Sequence, residues 1–500
     1  MTGPDASGVI SNHPPAPGPV RVGELLRLHP GARVVPVPSG ATQIFIGQRG
    51  TSLGALSPGL AAAVELLGTK PVDNDELLEV VRSHEGELGM LKTPKLLQRL
   101  RAGGWLAVTL EAAGKPLLTF RPLGPAVPPV LKHDGDPAEL RMSRFAVLRA
   151  EGTGMVLESP LAHVAVELHD PALAGLLASL PARQDPGQAP QDTESARTHL
   201  PEQPEVVSAL LSALARHGFL VPRSGAAEED FRFAQWSPHE LWFHSRTRVG
   251  RHDMPYGGTY WAKGTAEPLP AVRPSFEGVS VELPRVDLEA LRASDRTLTE
   301  VLEDRHSLRL HDSSSPLTAA QLGEFLYRSA RNRAQYDDGS QQLGDRPYPS
   351  GGRAYELEIY PLIDQVDGVA PGLYHYDPEG HRLELVAEPG PALTRLTEMS
   401  RATAQMSAAP QVTLLITARF GRVMWKYSTM GYALVLKHVG VLYQVMYSVA
   451  TAMGLAGCGL GGGDSDAFAA ASGVAWESES TVGEFLLGSR GEEDGSGVPA

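Results

Sequence analysis

The 500-residue sequence holds a single cysteine, Cys458, so it can form no intrachain disulfide and no cysteine-cluster zinc site. That fits a reducing, cytoplasmic compartment. Positive charge is also short: 44 Lys and Arg against 58 Asp and Glu leave a net charge of −14, which argues against a broadly basic nucleic-acid-binding surface. Met1 to Val20 lacks a basic region followed by an apolar core, and no signal peptide is expected. Long uncharged runs are scarce, with one exception from Val439 to Gly463. Gln444, Ser448 and the crowding glycines make this a helix of roughly 15 residues, buried in a large fold or a dimer and ending in a glycine loop, rather than a membrane span.

What is present is ordinary for a globular chain: 42% hydrophobic and 20% charged residues, with 53 Gly and 41 Pro that imply many loops. At about 150 residues per domain the length suggests about three domains. A repeat occupies the first part. Leu96-Leu97-x-x-Leu100-x-x-x-Gly104-Trp105-Leu106 is matched by Leu210-Leu211-x-x-Leu214-x-x-x-Gly218-Phe219-Leu220. Each copy reads as an amphipathic helix stopped by glycine and followed by a short strand. Strand-like runs and another helix precede each one, Gln43 to Gln48 with Pro58 to Leu67, and Gly154 to Leu168 with Ala172 to Leu180. Leu106 to Leu110 and Pro116 to Phe120, joined at Gly114-Lys115, read as a hairpin, the wing of a winged helix. Residues 1–225 carry 20 Lys and Arg against 22 Asp and Glu, so DNA is disfavoured. Peptide binding along an exposed wing edge and a purely structural packing module both stay open.

The expected organisation is a winged-helix module over 20–125 and a second over 140–225, interrupted by a disordered polar insertion at 181–204. An aromatic-rich connector follows over 226–285, then an α+β domain over 286–489 and a disordered tail over 490–500.

Arg305-His306-Ser307-Leu308-Arg309 places two guanidinium groups and a hydroxyl on one face of an extended chain, which suits a phosphate or a solvated surface. Pro349-Ser350-Gly351-Gly352 is a tight turn entering a strand, and its glycines permit close approach to a flat ligand. Lys426-Tyr427 supplies two groups able to move protons if their pKa values fall; the plainer reading is a surface lysine beside a packed tyrosine. Gly457-Cys458-Gly459-Leu460-Gly461-Gly462 satisfies G-x-G-x-x-G, but a helix precedes it where a dinucleotide fingerprint needs a strand. It reads instead as a loop against another planar ligand. His239, His244 and His252 lack carboxylate partners at ligand spacing, and no metal is expected.

The order of these pieces, with Gly372-Leu373-Tyr374-His375-Tyr376, Gly454-Leu455 and the connector Trp236 to His244, resembles the SagB/ThcOx-type azoline dehydrogenases. These are flavin enzymes of the nitroreductase-like fold that act in thiazole- and oxazole-containing peptide biosynthesis. The resemblance spans about 285–489, and the N-terminal repeat looks like the leader-peptide-recognition modules of longer members. It implies an FMN-dependent dehydrogenase acting on thiazoline or oxazoline rings of a precursor peptide, with dioxygen as final acceptor. A homodimer and a cyclodehydratase partner are implied as well. By the same resemblance Arg305, Ser307, Arg309 and Arg490 would hold the FMN phosphate and ribityl chain, while Pro349, Ser350, Gly351, Gly459, Leu460 and Gly461 would approach the flavin. Lys426 and Tyr427 match the family's proton-accepting pair. The sequence departs from the pattern at His306, where a second Arg is common, and at Val441, where His is common. A nitroreductase-type enzyme for small quinones or nitroaromatics and a non-catalytic peptide-binding scaffold are the competing readings.

Overall fold

A computed structural model describes residues 21–47, 49–125, 139–180, 204–224 and 226–491. The expected insertion, apart from Pro204, and the tail after Gly491 lie outside the described residues. The chain divides into two compact units, Met1–Met254 and Pro255–Ala500.

In the first unit both copies of the repeat form as read. Helix Thr93–Ala102 buries Leu96, Leu97 and Leu100, and helix Pro204–Arg216 buries Leu210, Leu211 and Leu214. Gly104 (φ +65°) and Gly218 (φ +82°) turn the chain back so that Trp105 and Phe219 enter the two cores. The hairpin pairs Leu106–Ala112 with Lys115–Pro122 around Ala113 and Gly114, both at positive φ, as a two-residue turn between right-twisted strands requires.

The hairpin is not an exposed wing. Leu106–Ala112 pairs with Val22–Leu28 and Lys115–Pro122 pairs with Val164–Leu168, giving a six-stranded sheet that the two copies share. Lys115–Pro122 buries every residue from Leu117 to Arg121, on both faces, so its edges are covered by neighbouring strands. Val164–Leu168 comes from the second copy, a pairing that short-range pattern cannot show. After the second copy, Leu220–Pro222 pairs with Leu140–Met142, and no second hairpin follows among the described residues.

The second unit is a seven-stranded antiparallel sheet in the order Ser280–Glu282, Arg382–Ala387, Gly372–Asp377, Leu357–Ile363, Val412–Arg419, Glu479–Gly488, Ala456–Leu460. Helix Gly431–Ala452 packs on it through Val435, Leu442, Met446 and Val449. It runs 22 residues rather than the expected 15 or so, because exposed Lys437 interrupts the uncharged run while the buried 3.6-residue period continues upstream to Val435 and Gly431. The helix is long and apolar enough to cross a membrane by composition alone. Its packing accounts for that composition.

A second correction concerns the glycine run. Gly457 to Leu460 is a strand and not a loop; only Gly461, Gly462 and Gly463 leave regular structure. A Cβ at Gly457 would lie 2.9 Å from the Phe485 ring and one at Gly459 would lie 3.2 Å from the Tyr443 ring. These glycines let a strand lie flat against aromatic side chains, and composition alone made them look like a loop.

Candidate functional site

Helix Leu298–Asp304 begins at a capping box, Thr297 with Glu300, and ends at Arg305. The chain beyond it is irregular and runs beside the edge strand, Leu308 N–H donating to the Gly457 carbonyl (3.0 Å). Ser307 Oγ is 2.9 Å from Tyr447 Oη, which accepts from Gly459 N–H (2.8 Å). The Arg305 guanidinium lies 5.3 Å from the centroid of the Tyr447 ring. Arg490 bridges through its backbone to His311, two residues past Arg309. Among the described residues none of Arg305, Arg309 and Arg490 forms an ion pair with a carboxylate. Arg305 stands beside Ser307 and Tyr447, and Arg309 and Arg490 lie on adjoining backbone; three arginines without a carboxylate partner among the described residues, near a hydroxyl, make a donor set that fits a phosphate.

A second group forms around the turn. Ser350 Oγ accepts from Tyr355 N–H (3.0 Å) and donates to Glu356 (3.4 Å), while Gly351 N–H donates to His438 Nε2 (2.7 Å). His438 Nδ1 is 2.6 Å from Glu356 Oε1, so the ring is held with its proton on Nδ1. Gly352 (φ +63°) passes beneath the Lys-Tyr pair: a Cβ there would strike Tyr427 Oη and come within 2.9 Å of Lys426 Nζ. Lys426 Nζ also lies 5.1 Å from the Tyr260 ring centroid, and Gly257–Gly258 pairs antiparallel with Tyr427–Ser428. Four of the seven non-glycine residues at positive φ among the described residues, Tyr260, Arg353, Tyr355 and Thr429, lie at or near this spot. Partial burial pulls the Lys426 pKa down, but the hydrogen bond to Tyr260 and the neighbouring Tyr427 and Asp338 outweigh it and leave the ammonium more stable than in water.

The third predicted group, Leu460 and Gly461, lines a cavity of about 370 Å³ with Tyr432, Val439, Tyr443 and Glu484. The structure therefore brings Arg305, Ser307, Arg309, Arg490, Gly459, Leu460 and Gly461 to one neighbourhood. It brings Pro349, Ser350, Gly351, Lys426 and Tyr427 to another. The two meet different faces of the same helix: His438 serves the turn and Tyr447 serves the arginines, and nine residues at 100° each are two and a half turns. Tyr260, Glu356, His438, Tyr447 and Glu484 escaped the sequence reading. Only His438, a lone polar group on the buried stripe of an apolar helix, carried any signal.

Residues 140–253 match the family Cyanobactin oxidase ThcOx, and residues 302–488 match the Nitroreductase family. A relative from Methanocaldococcus jannaschii, the nitroreductase-type protein MJ1384, is 32% identical over 182 residues, 36% of this chain and 82% of that protein. The chain belongs to the nitroreductase family. Its nitroreductase region contains every predicted site residue except Arg490, two positions beyond the match. The chain is also 31% identical over 114 residues to the microcin B17-processing protein McbC of Escherichia coli, covering 22% of this chain and 42% of that one. It is 32% identical over 81 residues to the trifolitoxin-processing protein TfxB of Rhizobium leguminosarum bv. trifolii, covering 16% of this chain and 22% of that one. It thus spans less than half the length of these two processing proteins. Among solved structures, a nitroreductase-type protein from Ralstonia eutropha JMP134 matches 48% of this chain and all of its own at 23% identity and a TM-score of 0.35. A nitroreductase region preceded by a cyanobactin oxidase region supports a flavin oxidoreductase.

Proposed function

We propose that this nitroreductase-family chain oxidises thiazoline or oxazoline rings of a ribosomal precursor peptide to thiazoles or oxazoles, with FMN as its cofactor. The observation that carries the proposal is the pairing, on one helix, of an unneutralised arginine cluster with a Lys-Tyr pair held against a glycine turn. The names of McbC and TfxB as peptide-processing proteins support the substrate class.

Arg305, Arg309, Arg490 and Ser307 would hold the phosphate and ribityl chain. Pro349, Ser350 and Gly351 on one side, and Gly459, Leu460 and Gly461 on the other, would flank the ring. When bound, FMN accepts the hydride equivalent that leaves the azoline. The chain's own part is orientation and proton removal. An azoline C–H between imine and carbonyl is acidic, and its proton needs an acceptor as the hydride leaves the adjacent ring carbon. An ammonium cannot accept a proton, so the acceptor would be Tyr427 Oη as the phenolate, an anion that the neighbouring Lys426 ammonium stabilises and that the azoline proton converts back to the phenol. Dioxygen takes up the two electrons and two protons as hydrogen peroxide.

The precursor peptide would be recruited by the N-terminal unit, cytoplasmically and in cooperation with a cyclodehydratase. With the hairpin edge covered, a groove of about 360 Å³ lined by Leu106, Val108 and Phe120, with Arg216 and the Arg101–Glu24 ion pair (3.4 Å) beside them, offers apolar contact and polar groups of both signs. The catalytic unit would act as a homodimer, because Tyr432 and Leu436 leave the central helix with an exposed apolar face. The resemblance to MJ1384, which covers 36% of this chain and 82% of that protein, favours a second reading as a small-molecule reductase.

Purified full-length protein should be yellow and release FMN on denaturation. A thiazoline peptide should lose two hydrogens per ring. Turnover of quinones but never of azolines would favour the second reading, and a colourless chain that FMN cannot reconstitute would overturn both. Deleting residues 1–225 should weaken binding of the leader segment; unchanged affinity would remove the recruitment role.

A further inference from the structure

Glu484 is an anomaly in strand Glu479–Gly488. Its side chain is 4% exposed, yet its carboxylate makes no hydrogen bond or ion pair with any described residue, and no cation lines the cavity it faces. Its backbone N–H donates to Tyr443 Oη (2.7 Å), which in turn donates to the Leu460 carbonyl (3.1 Å). The carboxyl rests directly on Gly463, where a Cβ would overlap it, so the glycine run leaves the space that Glu484 fills. Gly461 and Gly462 have nothing within 4 Å of where a Cβ would be, so the cavity wall on that side is bare backbone. The polar groups facing Glu484 are Tyr432 and Tyr443 from the central helix, Ser465 beyond the glycines and Thr481 from its own strand. All four are hydroxyls, and none neutralises a carboxylate.

The cavity and the arginine group border the same edge strand. Strand Ala456–Leu460 meets Leu308 at Gly457 and Tyr447 at Gly459, and it reaches the cavity at Leu460, about 10 Å further along at 3.3 Å per residue. A ligand with its phosphate among the arginines would reach this cavity by extending along the strand.

We propose that Glu484 is the polar anchor of this cavity for the ring end of the flavin, and that it binds the ring as the neutral acid, donating a hydrogen bond to it. The inference rests on the FMN reading and adds a residue to it. Burial already raises the Glu484 pKa to about 7, and a ring that displaces the remaining water raises it further. Flavin binding then takes up a proton, so affinity falls as the solution is made alkaline. Tyr443 is no competitor, since its pKa is pushed above its usual value by burial and by Glu484 itself.

The test is fluorescence titration of FMN into full-length protein stripped of flavin, between pH 6.5 and 8.5, for wild type, Glu484→Gln and Glu484→Ala. Wild-type Kd should rise by about tenfold per pH unit once above the free-protein pKa. Glu484→Gln should bind with a Kd nearly flat over that range, and Glu484→Ala should bind at least tenfold more weakly at pH 6.5. Because FMN phosphate itself titrates near pH 6, the quantity read is the difference between wild type and Glu484→Gln. Identical pH dependence in those two proteins, with far-UV circular dichroism showing both folded, overturns the proposal while leaving the FMN reading intact. Failure of wild type to bind FMN at any pH overturns the FMN reading and this inference with it.

Discussion

At the scale of single residues the site is an arrangement of small clearances. Gly352 has a left-handed backbone and lies where any side chain would meet Tyr427 Oη and Lys426 Nζ. Gly352→Ala adds a strained conformation costing about 1–2 kcal/mol and pushes the Lys-Tyr pair off the turn. Azoline oxidation should fall by roughly 100-fold, as expected when a reacting group moves by about 1 Å, while FMN affinity stays within a few fold. A single-turnover measurement of flavin bleaching by a thiazoline peptide checks this. Tyr427→Phe removes the proposed acceptor, and its bleaching rate should fall by about 10²–10⁴-fold with flavin still bound. Lys426→Ala should be milder than Tyr427→Phe, because an ammonium assists transfer but does not receive the proton; the reverse order would assign the base to Lys426.

Elements show how far the sequence could be read. The leucine spacing of helices Thr93–Ala102 and Pro204–Arg216 announced both, since three leucines on one stripe can only be buried together. Strand Val412–Arg419, apolar along its length, was equally plain because it is central to its sheet and covered on both faces. Ala456–Leu460 misled because its glycines answer to Phe485, Tyr443 and Tyr447, residues supplied by other elements. His375 shows a similar blindness. Strand Gly372–Asp377 buries it between Glu358 (3.3 Å) and Glu384 (3.2 Å) of the flanking strands, a pairing fixed by register and invisible in the motif. Burial opposes ionisation of Glu358, but Arg346, His375 and Arg419 prevail and hold its pKa at about 2. Glu384 is likewise held at about 2, against burial, by His375 and the Phe276 N–H. Burial also opposes the charge on His375, and its two carboxylate partners raise its pKa above 6.5 nevertheless. The depressed carboxylates stabilise the fold above about pH 4.5 and lose that contribution as pH falls towards 2. The raised histidine stabilises it below 6.5 and loses that contribution as pH rises through its folded value. Thermal melts should therefore show highest stability near pH 5–6.5, and His375→Gln should cost about 3 kcal/mol at pH 6 and flatten the alkaline decline.

At the scale of the whole molecule, the decisive fact is that one helix carries the two halves of the site on opposite faces. Tyr447 contacts the arginine group and His438 contacts the turn that supports Lys426 and Tyr427, half a revolution and about 13 Å of axial rise apart. With the helix between them, the two halves stand apart within one chain. The proposed two-fold pairing across the exposed face bearing Tyr432 and Leu436 would set the arginines of one chain against the Lys-Tyr pair of its partner, and would do so twice. Sites shared in this way make a prediction that no intrachain site makes. A chain carrying Arg305→Ala and Arg309→Ala should be inactive for want of flavin, and a chain carrying Tyr427→Phe should be inactive with flavin bound. In a mixed dimer one site collects both defects and the other collects none. Co-expression at equal amounts gives mixed dimers in about half of the molecules, each with one intact site, so azoline oxidation should return to about a quarter of the wild-type rate. Recovery near that value in differently tagged, tandem-purified protein establishes shared sites; a mixture as inactive as its components places each flavin within one chain and removes the dimer from the mechanism.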